Sequence, residues 1–487
     1  MFRLIINGRP RDPRAAGTGP LGWAAAIAMS LALCACITPP KLEAPLPTIT
    51  QDELGLAPQG SVPVAAKAWW SAFNDAQLDR LMQKALADNP SLAQALARVR
   101  EAQSVADVTR AGLGPAVSFD AQEVRRRLSG YDPIPKPYPG TTQWQGLEGL
   151  NFSWDLDFWG RQAALLKQAS SQTTAAIFDV DSARLALSGA VARAYIDLYR
   201  NDALLEVAQR TEAQRQRILE ITRRRVQSGL DTNVELREAS GAVPEAHVEL
   251  LQAEVAAELD KHQLASLSGQ GAELYAQLRP PTFDPGAVLV LPSALPADLL
   301  GRRPDVLAAR ERIESAHAGL SAAKAAFYPD INLAAFAGTS AIGVFSNLFQ
   351  GAATAYQVGP AIHLPLFDAG RLRAKYRGSA AQIDDAVAAY NQSVLEAVRE
   401  TSDQLSQVGA LAVQIEQQQR SLDDAEVAYR LAEERYQSGV SSYLTVLNTE
   451  TAVLIARREH VELVSGQALA RVTLLLAVGG SFDPQVP

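Results

Sequence analysis

Two stretches of this chain carry the same residues in the same order, and that duplication limits its fold more than any other feature. Asn89–Ala121 set against Arg303–Ala335 aligns Pro90 with Pro304, Ala95 with Ala309, Arg98 with Arg312, Ala102 with Ala316, Ala111 with Ala325 and Pro115 with Pro329. Farther on, Gly160-Arg161 matches Gly370-Arg371, and Arg225-x-Gln-Ser-Gly229 matches Arg435-x-Gln-Ser-Gly439. The offset is 214 residues at Pro90 and Pro304 and 210 at Gly160 and Gly370, so one intervening loop is four residues shorter. So many ordered matches identify a tandem repeat.

Each unit reads as helix, strand, strand, very long helix, turn, helix. Pro90 and Pro304 fit a first helical turn, where a missing N–H is harmless, and Pro115 and Pro329 stop those helices. Leu150, Phe152, Trp154, Leu156 and Phe158 alternate with Asn151, Ser153, Asp155 and Asp157; Val358, Pro360, Ile362, Leu364 and Leu366 repeat the period of two. That pattern is a strand with one apolar face. Val117, Phe119, Ile331 and Leu333 mark the partner strands. After Gly160 and Gly370 a proline-free helical pattern runs to the Ser-Gly turns, predicting helices about 100 Å long. Val387, Val394, Val398, Leu405, Val408, Ile415 and Leu422 form a coiled-coil seam in the second copy. Leu187, Val191, Ala194, Leu198 and Leu205 form its counterpart in the first. Gly229 and Gly439 suit helix C-caps, and Pro244 is expected to kink the first return helix.

The organisation predicted is a signal peptide at 1–35, a tether at 36–68, a first repeat at 69–268, a linker at 269–302, a second repeat at 303–475 and a tail at 476–487. Within the repeats the spacing predicts hairpins at 115–158 and 329–367, long helices at 160–227 and 370–437, and return helices at 232–268 and 442–475. The signal comprises Arg3, Arg9, Arg11 and Arg14 followed by the apolar run Leu21–Leu33. Leu33-Cys34-Ala35-Cys36 resembles the lipobox of bacterial lipoproteins, with Cys36 the acylated residue; an ordinary secretory signal with incidental cysteines is the alternative. Acylation would hold the mature chain on a membrane of a Gram-negative cell.

Four strands with one apolar face cannot close a barrel, and an open edge in a bilayer leaves backbone groups unpaired. Three copies would supply twelve strands. A water-soluble coiled-coil rod with two incidental hairpins is the competing architecture. Net charge −8 and the lack of a long basic run disfavour nucleic acid as a partner. Five scattered histidines give no metal-ligand spacing, and no phosphate-binding loop or nucleophile elbow appears, so neither cofactor nor enzyme activity is expected.

Trp69-Trp70-x-x-Phe73, Ala85-Leu86-x-x-Asn89-Pro90, Leu300-x-Arg-Arg-Pro-Asp305, Ala325-x-Phe-Tyr-Pro329 and Trp154-Asp-Leu-Asp-Phe158-x-Gly160-Arg161 together resemble the lipidated outer-membrane efflux proteins of the TolC-like outer membrane factor family. The resemblance covers essentially the whole mature chain. It implies a mainly α protein with membrane β: a homotrimeric 12-stranded outer-membrane barrel, four strands per chain, continued by a periplasmic α-helical coiled-coil barrel with a small mixed α/β equatorial region. It implies an exit duct for small molecules that meets outer-membrane lipid and works with a periplasmic adaptor (membrane fusion) protein and an inner-membrane transporter of the RND type. A duct for type I protein secretion and a lipid-anchored scaffold without a pore are the alternatives. By the same resemblance Gly229, Leu230, Gly439 and Val440 sit at the adaptor-docking tip, flanked by Arg225 and Arg435. Relatives narrow the tip with acidic and apolar side chains just past the turn. Here Leu444, Thr445 and Asn448 hold those positions in the second unit, and Glu235 and Glu238 in the first, where a solvated helix face is an equal reading. Arg125-Arg126-Arg127 close the first outward strand, as a contact for lipid phosphates or a solubilising loop edge.

Overall fold

The computed structural model describes residues 38–50, 52–54, 66–131, 133–285, 289, 291 and 299–482. The signal peptide and Cys36 lie outside the described residues, as do parts of the tether, linker and tail. Seven α-helices and four strands are labelled below: α1 Ala76–Asp88, α2 Pro90–Ala111, β1 Ala116–Arg127, β2 Thr142–Asp155, α3 Arg161–Gln227, α4 Asn233–Leu267, α5 Pro304–Ala325, β3 Asp330–Gly343, β4 Thr354–His363, α6 Arg371–Gln437 and α7 Tyr443–Ala477. The repeat shows in the lengths: α3 and α6 have 67 residues each, and α4 and α7 have 35 each.

The chain divides into two compact units, described separately. The first holds the strands and the helix ends beside them, Val108–Leu166 and His317–Gln382. Its sheet is antiparallel in the order β1-β2-β3-β4, so the hairpin of each repeat is joined to the other through β2 and β3. Residues paired across an antiparallel ladder share a face. Val117↔Phe152 and Phe119↔Leu150 continue through Phe152↔Ala335 and Leu150↔Ala337 to Val358 and Tyr356, which makes the helix-side half of one face apolar. The opposite face carries Ser118, Asp120, Asn151, Asn332 and Gln357; Asn151 Nδ2 donates to Asp120 Oδ2 at 2.6 Å. Gly149 pairs with Gly338, where a Cβ would collide with the Glu148 carbonyl, and the Phe336 ring covers the bare Gly149. Pro360 is tolerated because β4 is an edge strand of this sheet.

The strands are shorter than their alternation. Leu156 and Phe158 follow the end of β2, and Leu364 and Leu366 follow the end of β4. The reason is capping. Asp157 accepts from the N–H groups of Gln162 and Ala163, and Asp368 from those of Gly370 and Leu372. Each carboxylate thereby starts a long helix; past the end of β2, Leu156 N still donates to the Ile331 carbonyl at 2.9 Å before the chain turns into α3.

The second unit comprises Leu46–Asp107, Lys167–Ala316 and Ile383–Pro487. Its main core packs Trp69, Trp70, Phe73, Leu78 and Met82 against Val191, Tyr195 and Leu198 of α3, Leu264 of α4 and Leu475 of α7. Asp75 caps α1 through Gln77 N and Leu78 N, and it also accepts from Tyr195 Oη (2.8 Å) and Thr282 N (3.1 Å). Burial opposes its ionisation, but these hydrogen bonds hold the carboxyl below its ordinary range. The tether also takes part: Leu46 N donates to Asp384, Ile49 N to Asn391, and Asn391 Nδ2 to the Pro47 carbonyl, which fastens residues 46–49 along α6. Val387 and Val394 of the predicted seam are buried and Val398 is half-buried, as are Leu405, Val408, Ile415 and Leu422. Pro244 lies inside α4, which is one helix from Asn233 to Leu267.

Candidate functional site

Both long helices end in the same way. Beyond Gln227, Gly229 adopts φ +70°, its N–H meeting the Val226 carbonyl at 3.0 Å while Leu230 N meets Arg225 O at 2.9 Å. Beyond Gln437, Gly439 adopts φ +77°, with Gly439 N on Tyr436 O (3.0 Å) and Val440 N on Arg435 O (2.9 Å). A left-handed residue here lets the last carbonyls of the helix find donors, and glycine takes that conformation without strain. Leu230 and Val440 follow each glycine, 63% and 67% exposed. Each turn therefore presents an apolar knob to solvent.

The flanking arginines are not equivalent. Arg435 is exposed. Arg225 is buried: Nε and Nη2 grip Asp231 at 2.8 and 3.0 Å, Nη1 donates to the Tyr436 carbonyl at 2.7 Å, and the guanidinium lies 4.4 Å from the centre of the Tyr436 ring. Tyr436 Oη donates to Asp231 Oδ2 at 2.6 Å and meets Thr222 Oγ1 at 3.0 Å. One cluster thus ties the first turn to α6, the long helix of the other repeat. Arg225 holds the Asp231 carboxyl below its usual range against the opposing effect of burial, and burial, then Asp231, pushes Tyr436 up to about 12.

The next residues diverge as well. Thr232 caps α4 and forms a capping box with Glu235, whose carboxylate accepts from Thr232 N. Ser442 makes no side-chain cap on α7. Glu235 is therefore occupied at a helix N-terminus, while Glu238 is exposed. Leu444, Thr445 and Asn448 are exposed on one side of α7, whose other side buries Tyr443 and Val446 beside Tyr436.

Higher in the bundle, further ion pairs cross between repeats: Arg217–Glu433 at 3.0 Å, Arg458–Glu249 at 2.7 Å and Arg215–Glu450 at 3.7 Å. Arg215 also donates to Ala242 O and Glu245. Glu450 is deeply buried, its Oε1 facing Arg215 beyond hydrogen-bond distance, and burial raises its pKa. Sequence reasoning missed Asp231, Tyr436 and Glu450. The signal for two of them was the repeat itself, because at the offset of 210 Asp231 falls on Ser441 and Tyr436 on Val226.

Comparison with known proteins follows the duplication. A family described as outer membrane efflux protein matches the chain twice, at residues 81–270 and 295–480. The fusaric acid resistance protein FusA of Burkholderia cepacia is 35% identical over 314 residues, 64% of this chain and 59% of that protein. The pyoverdine export outer membrane protein OpmQ of Pseudomonas putida is 30% identical over 476 residues, 95% of this chain and 98% of that one. Among solved structures, the outer membrane protein VceC from Vibrio cholerae superposes with a TM-score of 0.80 at 33% identity, covering 86% of this chain and all of VceC.

Proposed function

The chain belongs to the outer membrane efflux protein family, and from that membership we propose that three copies form an outer-membrane exit duct for small molecules. The sheet carries this reading. It has one apolar face and two unpaired edges, β1 and β4, of 12 and 10 residues. In hydrocarbon each unpaired backbone group costs several kcal/mol, so β1 of one copy pairs with β4 of the next until twelve strands close. The apolar face turns to lipid and the Ser118, Asp120, Asn151 face lines water. Acyl chains on Cys36 anchor each copy. The relatives' names, fusaric acid resistance and pyoverdine export, favour small molecules over protein as cargo.

The helices continue the duct into the periplasm, and the two turns form its tip. Gly229-Leu230 and Gly439-Val440 receive a periplasmic adaptor, which links the duct to an inner-membrane transporter of the RND type. Leu444, Thr445 and Asn448 narrow the opening, with Glu238 and the capping Glu235 adding charge. The duct itself is passive, with energy supplied by the transporter.

Single-channel recording in planar bilayers tests both parts. The full-length chain should migrate as a heat-sensitive trimer and pass current. A monodisperse monomer without conductance overturns the duct. Glu235→Ala with Glu238→Ala should lower cation preference, and an unchanged reversal potential removes the acidic gate.

A further inference from the structure

We propose that the outer rim of the sheet binds a phosphorylated glycolipid of the outer leaflet through Arg125 and Arg127. The inference rests on the barrel reading above, which turns the apolar face to lipid. Ladder register places the arginines. Arg125 pairs with Trp144 and Arg127 with Thr142, so both share the face of Val117, Phe119, Leu150 and Phe152, while Arg126 points to the opposite, water-lining side. They lie at the end of β1 that leads into the 128–141 connection, away from the helices. No carboxylate among the described residues lies within ion-pair distance of Arg125, Arg126 or Arg127, and Arg125 sits 5.8 Å from the centre of the exposed Trp144 ring.

A cation on the lipid-facing side of a barrel is costly at the bilayer midplane and tolerated only near an interface. Two on one strand, beside a tryptophan at girdle depth, mark that boundary. Glu123 and Glu148, on the same face and nearer the helices, set the inner limit of the cationic stretch. Level with Glu123, whose ladder partner is Gly146, the connection between β3 and β4 folds back. Leu348 packs on the bare backbone of Gly146, on the same outward face, and Phe345 and Phe349 stand exposed with ring centres 5.2 Å apart. Arginine forks fit phosphate oxygens bidentately, and the exposed rings suit acyl chains. The outermost position therefore combines a phosphate grip with an apolar plate, which matches a phosphorylated glycolipid and not a free anion.

Full-length trimer freed of native glycolipid would be titrated in detergent with bisphosphorylated lipid A, its monophosphorylated form, phosphatidylglycerol and inorganic pyrophosphate, with binding followed by native mass spectrometry. Bisphosphorylated lipid A should bind tightest. Arg125→Gln with Arg127→Gln should weaken it about thirtyfold, the expectation for two interfacial cations. Arg126→Gln, on the other face, should leave it within about twofold. Equal loss from Arg126→Gln, no loss from the double variant, or equal affinity for phosphatidylglycerol or pyrophosphate would overturn the site. Failure of the barrel reading appears separately, as wild-type protein that neither migrates as a heat-sensitive trimer nor conducts.

Discussion

The two turns at the ends of α3 and α6 make the same backbone bonds around a left-handed glycine and expose the same kind of knob, yet their surroundings differ. The first is fixed to the opposite repeat by the Arg225, Asp231 and Tyr436 cluster and begins its return helix with a capping box. The second has the exposed Arg435, Ser441 in place of Asp231, and a Ser442 that caps nothing. Duplication kept the chain reversal, which is fixed by local geometry, and left one copy to evolve a cross-link. Tyr436, whose carbonyl also takes the Gly439 N–H, belongs to the second turn, so the cluster ties the two turns together, and it is the start of α7 that lacks a matching restraint.

The sharpest way to break this contrast is to remove both arginines in turn. Arg225→Ala strands a buried Asp231 and frees the Tyr436 carbonyl, and should cost roughly 3 kcal/mol of tip stability, as when one partner of a buried pair is deleted. Arg435→Ala should change stability by no more than about 0.5 kcal/mol. Urea unfolding of the solubilised trimer, followed by hydrogen exchange at the turn amides, measures both. Equal effects would erase the distinction. Acid sharpens it. Because the folded state holds the Asp231 carboxyl below its unfolded value of about 3.9, the cluster contributes fully above that pH and is lost as pH falls through the lower folded value. Asp231→Asn should remove that acid-sensitive component.

A smaller effect of opposite sign is expected at Glu450, where α7 meets α3. Burial raises this carboxyl, with Arg215 opposing and Glu249 adding to the rise, so the folded protein holds the proton more tightly than the unfolded chain does. Its favourable contribution belongs to the acid side and is lost as pH rises through the folded value. Glu450→Gln should therefore stabilise the helical bundle at pH 8 and lose that advantage towards pH 5, because Arg215 keeps Ala242 and Glu245 as acceptors. Destabilisation at pH 8 would mean that the Arg215 pair outweighs burial.

What could be read from sequence divides along similar lines. The long helices were legible because Gly160 and Gly370 start proline-free runs and Gly229 and Gly439 end them: these are local signals. The apolar face of the sheet was legible from alternation at Leu150, Phe152 and Trp154. The ends of β2 and β4 were not, because Asp157 and Asp368 act on helix N–H groups several residues ahead, and alternation is blind to that. The Arg225 cluster joins residues 211 positions apart, Arg225 to Tyr436, and no periodicity reports such a contact. Nor did the Pro-rich tether announce that its backbone would be held by Asp384 and Asn391.

The finest test of the contrast lies in the caps. Thr232 Oγ1 accepts from Val234 N at 3.1 Å, and Glu235 returns the bond to Thr232 N at 2.9 Å, so two orphan donors of α4 are satisfied. Thr232→Ala should cost about 1 kcal/mol, the usual value for a lost N-cap. The Ser442 hydroxyl meets Thr445 Oγ1 at 3.2 Å and takes no backbone N–H of the first turn of α7. Ser442→Ala should then cost no more than a few tenths of a kcal/mol, below the N-cap range. Amide exchange at residues 233–236 and 443–446 reads both substitutions in one protein. If Ser442→Ala speeds exchange at the second turn as much as Thr232→Ala does at the first, the serine caps α7 after all. The contrast between the two turns would then rest on Arg225 and Asp231 alone, which have no counterpart pair at Arg435 and Ser441.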